Sequence, residues 1–75
     1  MKFEFDPNKN LHNLQSRQLP FTCVANFNFD TALVAQDIRK DYPEQRFVAL
    51  GFLDDRLHVL CFTPIDGGLR VISFR

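Results

Sequence analysis

Residues 46–75 run Arg46-Phe47-Val48-Ala49-Leu50-Gly51-Phe52-Leu53, then Asp54-Asp55, then Arg56-Leu57-His58-Val59-Leu60-Cys61-Phe62-Thr63, then Pro64-Ile65-Asp66-Gly67-Gly68, and last Leu69-Arg70-Val71-Ile72-Ser73-Phe74-Arg75. The first run is almost continuously apolar, which suits a central strand covered on both faces. Asp54-Asp55 is a short connection. Residues 64–68 tolerate positive φ and form a turn, with Gly67-Gly68 as a turn signal. Strands over 46–53, 56–63 and 69–75, joined so closely, make an antiparallel meander.

Working outward, Lys2-Phe3-Glu4-Phe5 alternates polar and apolar residues and predicts a short half-buried strand. Asp6 is a good N-cap and Pro7 suits the first helical position, so a helix starts there and ends before Pro20. Leu11, Leu14 and Gln18 line up on one face of it, leaving Lys9, His12, Asn13 and Ser16 towards solvent or a groove. Residues 21–27 predict a second short helix with Val24 and Ala25 facing inward, although Thr22, Cys23 and Val24 are poor helix formers. Asn26, Asn28 and Asp30 mark a turn. Residues 32–35 with Asp37 form a short strand, while 31–40 also fits a helix. Residues 39–45 are polar, contain Pro43 and form a loop. The fold class is α+β: one or two N-terminal helices packed on one face of a small twisted antiparallel sheet. The opposite face stays partly open, and polar strand residues gather there.

The chain of 75 residues is one domain, and at this size it buries only about 60–65% of its unfolded surface. Nine phenylalanines, one tyrosine and no tryptophan predict an aromatic-rich core, with rings left over for a partner surface. Nine basic and nine acidic residues give a net charge of zero. Nucleic-acid binders draw most of their affinity from phosphate neutralisation, so any phosphate-facing patch here is local. Cys23 and Cys61 fit no zinc pattern and read as buried, reduced thiols. Met1-Lys2 opens no apolar signal segment, and no run approaches membrane-spanning length. A cytoplasmic protein with no membrane contact is the expectation.

The arginines carry the chemistry. Arg46, Arg70 and Arg75 lie at or near strand ends, and a guanidinium offers a planar fork of donors to phosphate oxygens. They bind RNA phosphates in the functional reading, and in the plainer one they are solubilising flanks that blunt sheet edges. Arg70 and Arg75 are an odd number of positions apart and converge only if a bulge or bend intervenes. The hydroxyls of Thr63 and Ser73 either orient a phosphate or satisfy local backbone. His12 and His58 are the only side chains with proton-transfer chemistry near neutral pH. His12 sits on an exposed helix face, and His58 shares a strand face with Arg56, Leu60 and Phe62. Asp54-Asp55 and the group Asp37, Asp41 and Glu44 match no calcium loop and read as solvated turn residues. No metal or cofactor is implied.

Five pieces, in order, resemble the BrnT family of toxins from type II toxin–antitoxin modules. Phe3-Glu4-Phe5-Asp6-Pro7 with Lys9 and Asn13-Leu14 is similar to the family opening F-E-W-D-P-x-K-x-x-x-N-L. Phe21 stands at the Phe of a Ser-Phe pair. Gln45-Arg46-Phe47 with Ala49-Leu50-Gly51 resembles E-R-F-x-A-L-G. Phe62-Thr63 resembles a strand-ending F-T, and residues 70–75 resemble R-I-I-S-A-R. The resemblance implies a RelE-like fold and metal-independent endoribonuclease activity that inhibits growth, with the substrate's own 2′-OH as nucleophile. It also implies a BrnA-like ribbon-helix-helix antitoxin as partner. Carried over, Arg46, Arg70, Arg75 and Thr63 are the catalytic candidates, and Phe5, Lys9, Arg17 and Ser73 the substrate-binding ones. Phe5 replaces the family's Trp.

Two departures stand out. Ser16-Arg17-Gln18 replaces Lys-His-Gly, which removes a histidine and the glycine of a left-handed helix cap. The family also continues past the final strand into a basic helix. A BrnT-like domain over residues 1–75 without that helix uncovers apolar sheet surface and is expected to self-associate or to form a hetero-oligomer with its antitoxin. The alternatives are an inactive or truncated module that only binds its antitoxin, and an unrelated small α+β binding domain.

Overall fold

The structure is a computed structural model that describes residues 1–75. In chain order it contains β1 (Lys2–Glu4), α1 (Pro7–Arg17), a 3₁₀ helix (Phe21–Asn26), β2 (Leu33–Gln36), β3 (Phe47–Leu53), β4 (Arg56–Ile65) and β5 (Gly68–Phe74). The two helices pack on a five-stranded sheet of order β1-β5-β4-β3-β2. The expected α+β architecture is present, and β3, β4 and β5 form the meander. The short strand at 33–36, not a helix, adds β2 antiparallel to β3. β1 joins β5 in parallel, so the sheet is mixed. Parallel neighbours need a long crossover, and the whole chain between β1 and β5 provides it.

β4 runs further than the sequence pattern indicates, through Pro64 and Ile65. Here it has outrun β3, so Pro64 occupies an edge-like position where a missing N–H is tolerated. The turn itself is Asp66-Gly67, with Gly67 at φ 78°. Gly68 is more than a turn residue: a Cβ there would collide with the Lys2 carbonyl. The absent side chain is what lets β1 dock on β5.

Between β4 and β5 the register slips. Cys61 faces Ser73 and Phe62 faces Val71, so Ile72 has no partner. This bulge turns Leu69, Val71 and Phe74 all towards the helices, where each is buried. They join Leu19, Phe21, Val24, Phe27, Ala49 and Leu60 in a single core. The core is aromatic, as composition suggests: Phe27 meets Phe29 and Phe74 edge to face at 4.9 and 6.0 Å.

The expectation that β3 is covered on both faces is not met. Helices lie on one side only, and Leu50 and Phe52 on the other side are 38% and 45% exposed. The second helix is 3₁₀ rather than α. A three-residue period eclipses Phe21, Val24 and Phe27 onto the core, so Ala25, expected inside, is exposed. Both cysteines are half-buried free thiols rather than fully buried ones.

α1 also corrects the sequence reading. The Asp6 carboxylate accepts from Asn8 N at 2.8 Å, and Pro7 opens the helix as expected. Yet Leu11 and Leu14 are 51% and 43% exposed, and Asn13 is buried. The inward face is polar because it works by hydrogen bonding. Asn13 Nδ2 donates to the Leu19 carbonyl at 2.7 Å and to the Phe74 carbonyl at 2.8 Å, and Asn10 Oδ1 accepts from Phe21 N. One amide thus ties the helix end to the last strand. Gln18 takes the left-handed conformation (φ 55°, ψ 33°); its N–H caps the Leu14 carbonyl, and the Leu19 N–H caps that of Asn13.

Truncating Asn13 to Ala leaves two buried carbonyls unpaired. It is expected to lower the unfolding free energy by about 2 kcal/mol in urea titration, with an unchanged m-value. Gln18→Gly removes the left-handed strain and is expected to raise it by about 0.5–1 kcal/mol in the same measurement.

Candidate functional site

Strand pairing assembles a polar row across the sheet. Glu4 faces Arg70, and Arg70 faces Thr63. The Thr63 hydroxyl donates to the Gln45 carbonyl, next to Arg46, and Asp37 N donates to the Arg46 carbonyl at 2.7 Å. Phe3, Leu69, Phe62 and Phe47, the sequence neighbours of the row, pack on the helix side. Alternation therefore puts Glu4, Arg70, Thr63, Arg46 and Asp37 on the open face.

Within this row the two arginines differ. Arg46 lies over the Tyr42 ring at 4.2 Å, a cation–π contact worth about 0.5–2 kcal/mol. Its Nε is buried without a partner, and no hydrogen bond within the chain engages its terminal nitrogens. Arg46 is a held cation with its donors unspent. Arg70 is occupied: Nη2 reaches Glu4 at 3.3 Å and Nη1 reaches Glu44 at 3.4 Å. These half-exposed pairs are worth only about 0–1 kcal/mol each, so a phosphate can displace them.

Asp37 anchors the loop that carries Tyr42. It is buried, not solvated as its sequence setting suggests. Its Oδ1 accepts from Arg39 N and Nε, and its Oδ2 from Arg39 Nη2 at 2.8 Å and the Tyr42 hydroxyl at 3.3 Å. The Arg39 guanidinium holds the Asp37 carboxyl well below the usual carboxylate range, against the opposing effect of burial. The clamp therefore stabilises the loop above the ordinary aspartate range, and the gain drains only as pH falls through the depressed value. Glu44 likewise is no free turn residue, since it reaches Arg70.

The remaining candidates are spread wider. The bulge puts Ser73 opposite Cys61 on the same face as Arg70. Arg75 exchanges backbone bonds with Val59 at 2.6 and 3.0 Å, at the matching parity, so Arg70 and Arg75 share a face as only a bulge allows. They are still five residues apart along a strand, about 15 Å. Arg75 borders a separate open cleft of about 420 Å³ with Arg17, Arg56, His58, Asp54 and Asp55. This cleft lies where the end of α1 meets the β3–β4 turn. Phe5 is half-buried and packs edge to face on Phe21 at 6.0 Å, beside Glu4 and Arg70. Lys9 is exposed on α1 and lines neither the Phe5–Arg70 cleft nor the Arg75 cleft.

So the expected set divides in two: Arg46, Thr63 and Arg70 at one end, Arg17 and Arg75 at the other, with Ser73 between. Sequence reasoning missed Tyr42, which has no spacing signal, and the pairing of Glu4 and Glu44 with Arg70, which is long-range. It saw that Arg56 and His58 share a strand face but not that α1 brings Arg17 beside them. No cluster of three His, Cys, Asp or Glu residues is placed to hold a metal. No helix is long and apolar enough to cross a membrane.

A family model described as ribonuclease toxin, BrnT, of type II toxin–antitoxin system matches residues 5–75. No curated protein and no solved structure matches the chain.

Because two carboxylates occupy Arg70, the double variant Glu4→Gln, Glu44→Gln is expected to bind single-stranded RNA roughly fivefold more tightly at low salt. The plot of log affinity against log salt should steepen by about 0.7, measured by fluorescence anisotropy.

Proposed function

Since the chain belongs to the BrnT family, the ribonuclease toxins of type II toxin–antitoxin systems, we propose that it is a metal-independent endoribonuclease that arrests bacterial growth from the cytoplasm. Its partner on this reading is a BrnA-like ribbon-helix-helix antitoxin, and residues 1–75 form one domain of RelE-like fold. The observation that supports the reading best is Arg46. A guanidinium stacked on Tyr42, with terminal donors unspent, is preorganised for the charge that develops on a phosphate under attack.

In the proposed reaction the RNA 2′-hydroxyl oxygen attacks the adjacent phosphorus, and the bond to the 5′-oxygen breaks. Arg46 and Arg70 stabilise the non-bridging oxygens, with Arg70 exchanging Glu4 and Glu44 for phosphate. Thr63 positions Arg46 through the Gln45 carbonyl. Arg75 and Arg17 hold a neighbouring phosphate, with Ser73 along the path. Phe5 offers an edge for a base to pack against, and Lys9 adds a distal charge. The exposed apolar residues Leu33, Leu50, Phe52 and Leu57 suit contact with an antitoxin or with a second copy.

A second reading, a module that binds antitoxin without cleaving RNA, is favoured by the two carboxylates already on Arg70. Cleavage of RNA by the purified chain in EDTA separates the two. The wild type is expected to cleave, and Arg46→Ala to lose about 10²–10³-fold in rate with its fold intact by circular dichroism. An inert wild type that still binds antitoxin would support the second reading.

A further inference from the structure

The two edges of the sheet are not alike. β1 carries Lys2 and Glu4, an ion pair at 3.7 Å, and charge of this kind blunts a free edge. β2, at the other edge, is Leu33-Val34-Ala35-Gln36, without a charge, a proline or a bulge. The whole strand is exposed, Leu33 at 73% and Val34 at 49%. Its hydrogen bonds fix which backbone groups are free. Asp37 N donates to the Arg46 carbonyl at 2.7 Å, and antiparallel partners alternate between bonded and unbonded pairs. Leu33 and Ala35 therefore bond to Leu50 and Val48, while the N–H and C=O of Val34 and Gln36 point away from β3. No other bond within the chain engages them.

A second copy of the chain fits this edge. A twofold axis perpendicular to the sheet sets two β2 strands antiparallel and keeps each face on its own side, so opposed residues share a face. Val34 opposite Gln36 of the second copy then bonds every free group on both strands, with Ala35 opposite itself on the axis. Sliding to Val34 opposite Val34 would set Gln36 against Ala32, whose N–H is already given to the Phe29 carbonyl. Antiparallel pairing also brings the acidic end of one β2 to the basic end of the other. Asp30 precedes the strand, and Arg39 and Lys40 follow it. Arg39 is taken by Asp37, but Asp30 and Lys40 are exposed and make no ion pair in their own chain. In the register that bonds every free group, Asp30 meets Lys40 of the second copy, and the symmetry repeats the pair. A net charge of zero leaves no long-range repulsion between copies.

We propose that the free edge of β2 is a homodimer interface, on which a second copy adds its own β2 and joins two five-stranded sheets into one. The interface does not depend on the ribonuclease reading. It leaves Leu50, Phe52 and Leu57 uncovered for an antitoxin.

Sedimentation equilibrium of the purified chain should show a mass rising from one chain towards two between about 10 µM and 1 mM, the range of a small interface. Asp30→Lys and Lys40→Asp should each weaken dimerisation about tenfold, and the double variant, which swaps the charges, should restore it. Ala35→Cys should form a disulfide-linked dimer under mild oxidation, because Cα atoms of an unbonded antiparallel pair lie about 4.5 Å apart. Leu33→Cys, offset from its own copy along the strand, should not, and neither should the wild type with Cys23 and Cys61. A chain that stays monomeric across that range overturns the proposal. So does a dimer unmoved by either charge reversal and not cross-linked through Ala35→Cys. So does shielding of the Val34 and Gln36 amides from hydrogen exchange only when an antitoxin is added. None of these outcomes bears on whether the chain cleaves RNA.

Discussion

Where Cys61 faces Ser73 and Phe62 faces Val71, Ile72 is left without a partner on β4. An unbroken ladder would alternate strictly, and Leu69, Val71 and Phe74 could not all face the same side. With the extra residue they do, and Phe74 is only 1% exposed. The same slip turns Arg70, Ser73 and Arg75 to the open face. One backbone irregularity therefore completes the core and aligns the cations behind it. Asn13 depends on it as well, because its amide reaches the Phe74 carbonyl at 2.8 Å.

The open face follows from how the helices are used. α1 spends its inward side on hydrogen bonds, Asn10 accepting from Phe21 N and Asn13 donating to the Leu19 and Phe74 carbonyls, so its leucines face out, and both helices lie on one side of the sheet. The uncovered side is apolar along Leu33, Leu50, Phe52 and Leu57, and polar at the row from Glu4 to Asp37. Charge is partitioned there. Arg39 is locked on buried Asp37, Arg70 is shared between two half-exposed carboxylates, and Arg46 is held by an aromatic ring that leaves its donors unspent. A neutral chain thus presents local cation strength without net positive charge.

Much of this was legible in the sequence, and what was not has physical causes. Alternation and turn residues located β3, β4 and β5, and Asp6-Pro7 located the start of α1. The leucine spacing misled, because helical periodicity marks a face without saying whether apolar or amide groups will meet the core. Residues 21–27 read as a short helix weakened by the poor helix formers Thr22, Cys23 and Val24, and two turns barely distinguish a period of 3.0 from 3.6. Of the site, the arginines were visible as types and by family resemblance, and a bulge was named as the condition for Arg70 and Arg75 to share a face. Their partition into two groups was not visible. It arises from long-range pairing, Glu4 and Glu44 with Arg70 and Arg17 beside His58, which no local spacing encodes.

Attack by the 2′-hydroxyl leaves a chemical signature on the product, independent of how any variant folds. RNA incubated with the purified chain in EDTA should yield fragments ending in a 2′,3′-cyclic phosphate and beginning with a 5′-hydroxyl, identified by mass spectrometry. Fragments with 3′-hydroxyl and 5′-phosphate ends, or cleavage only after a divalent metal is restored, would contradict it.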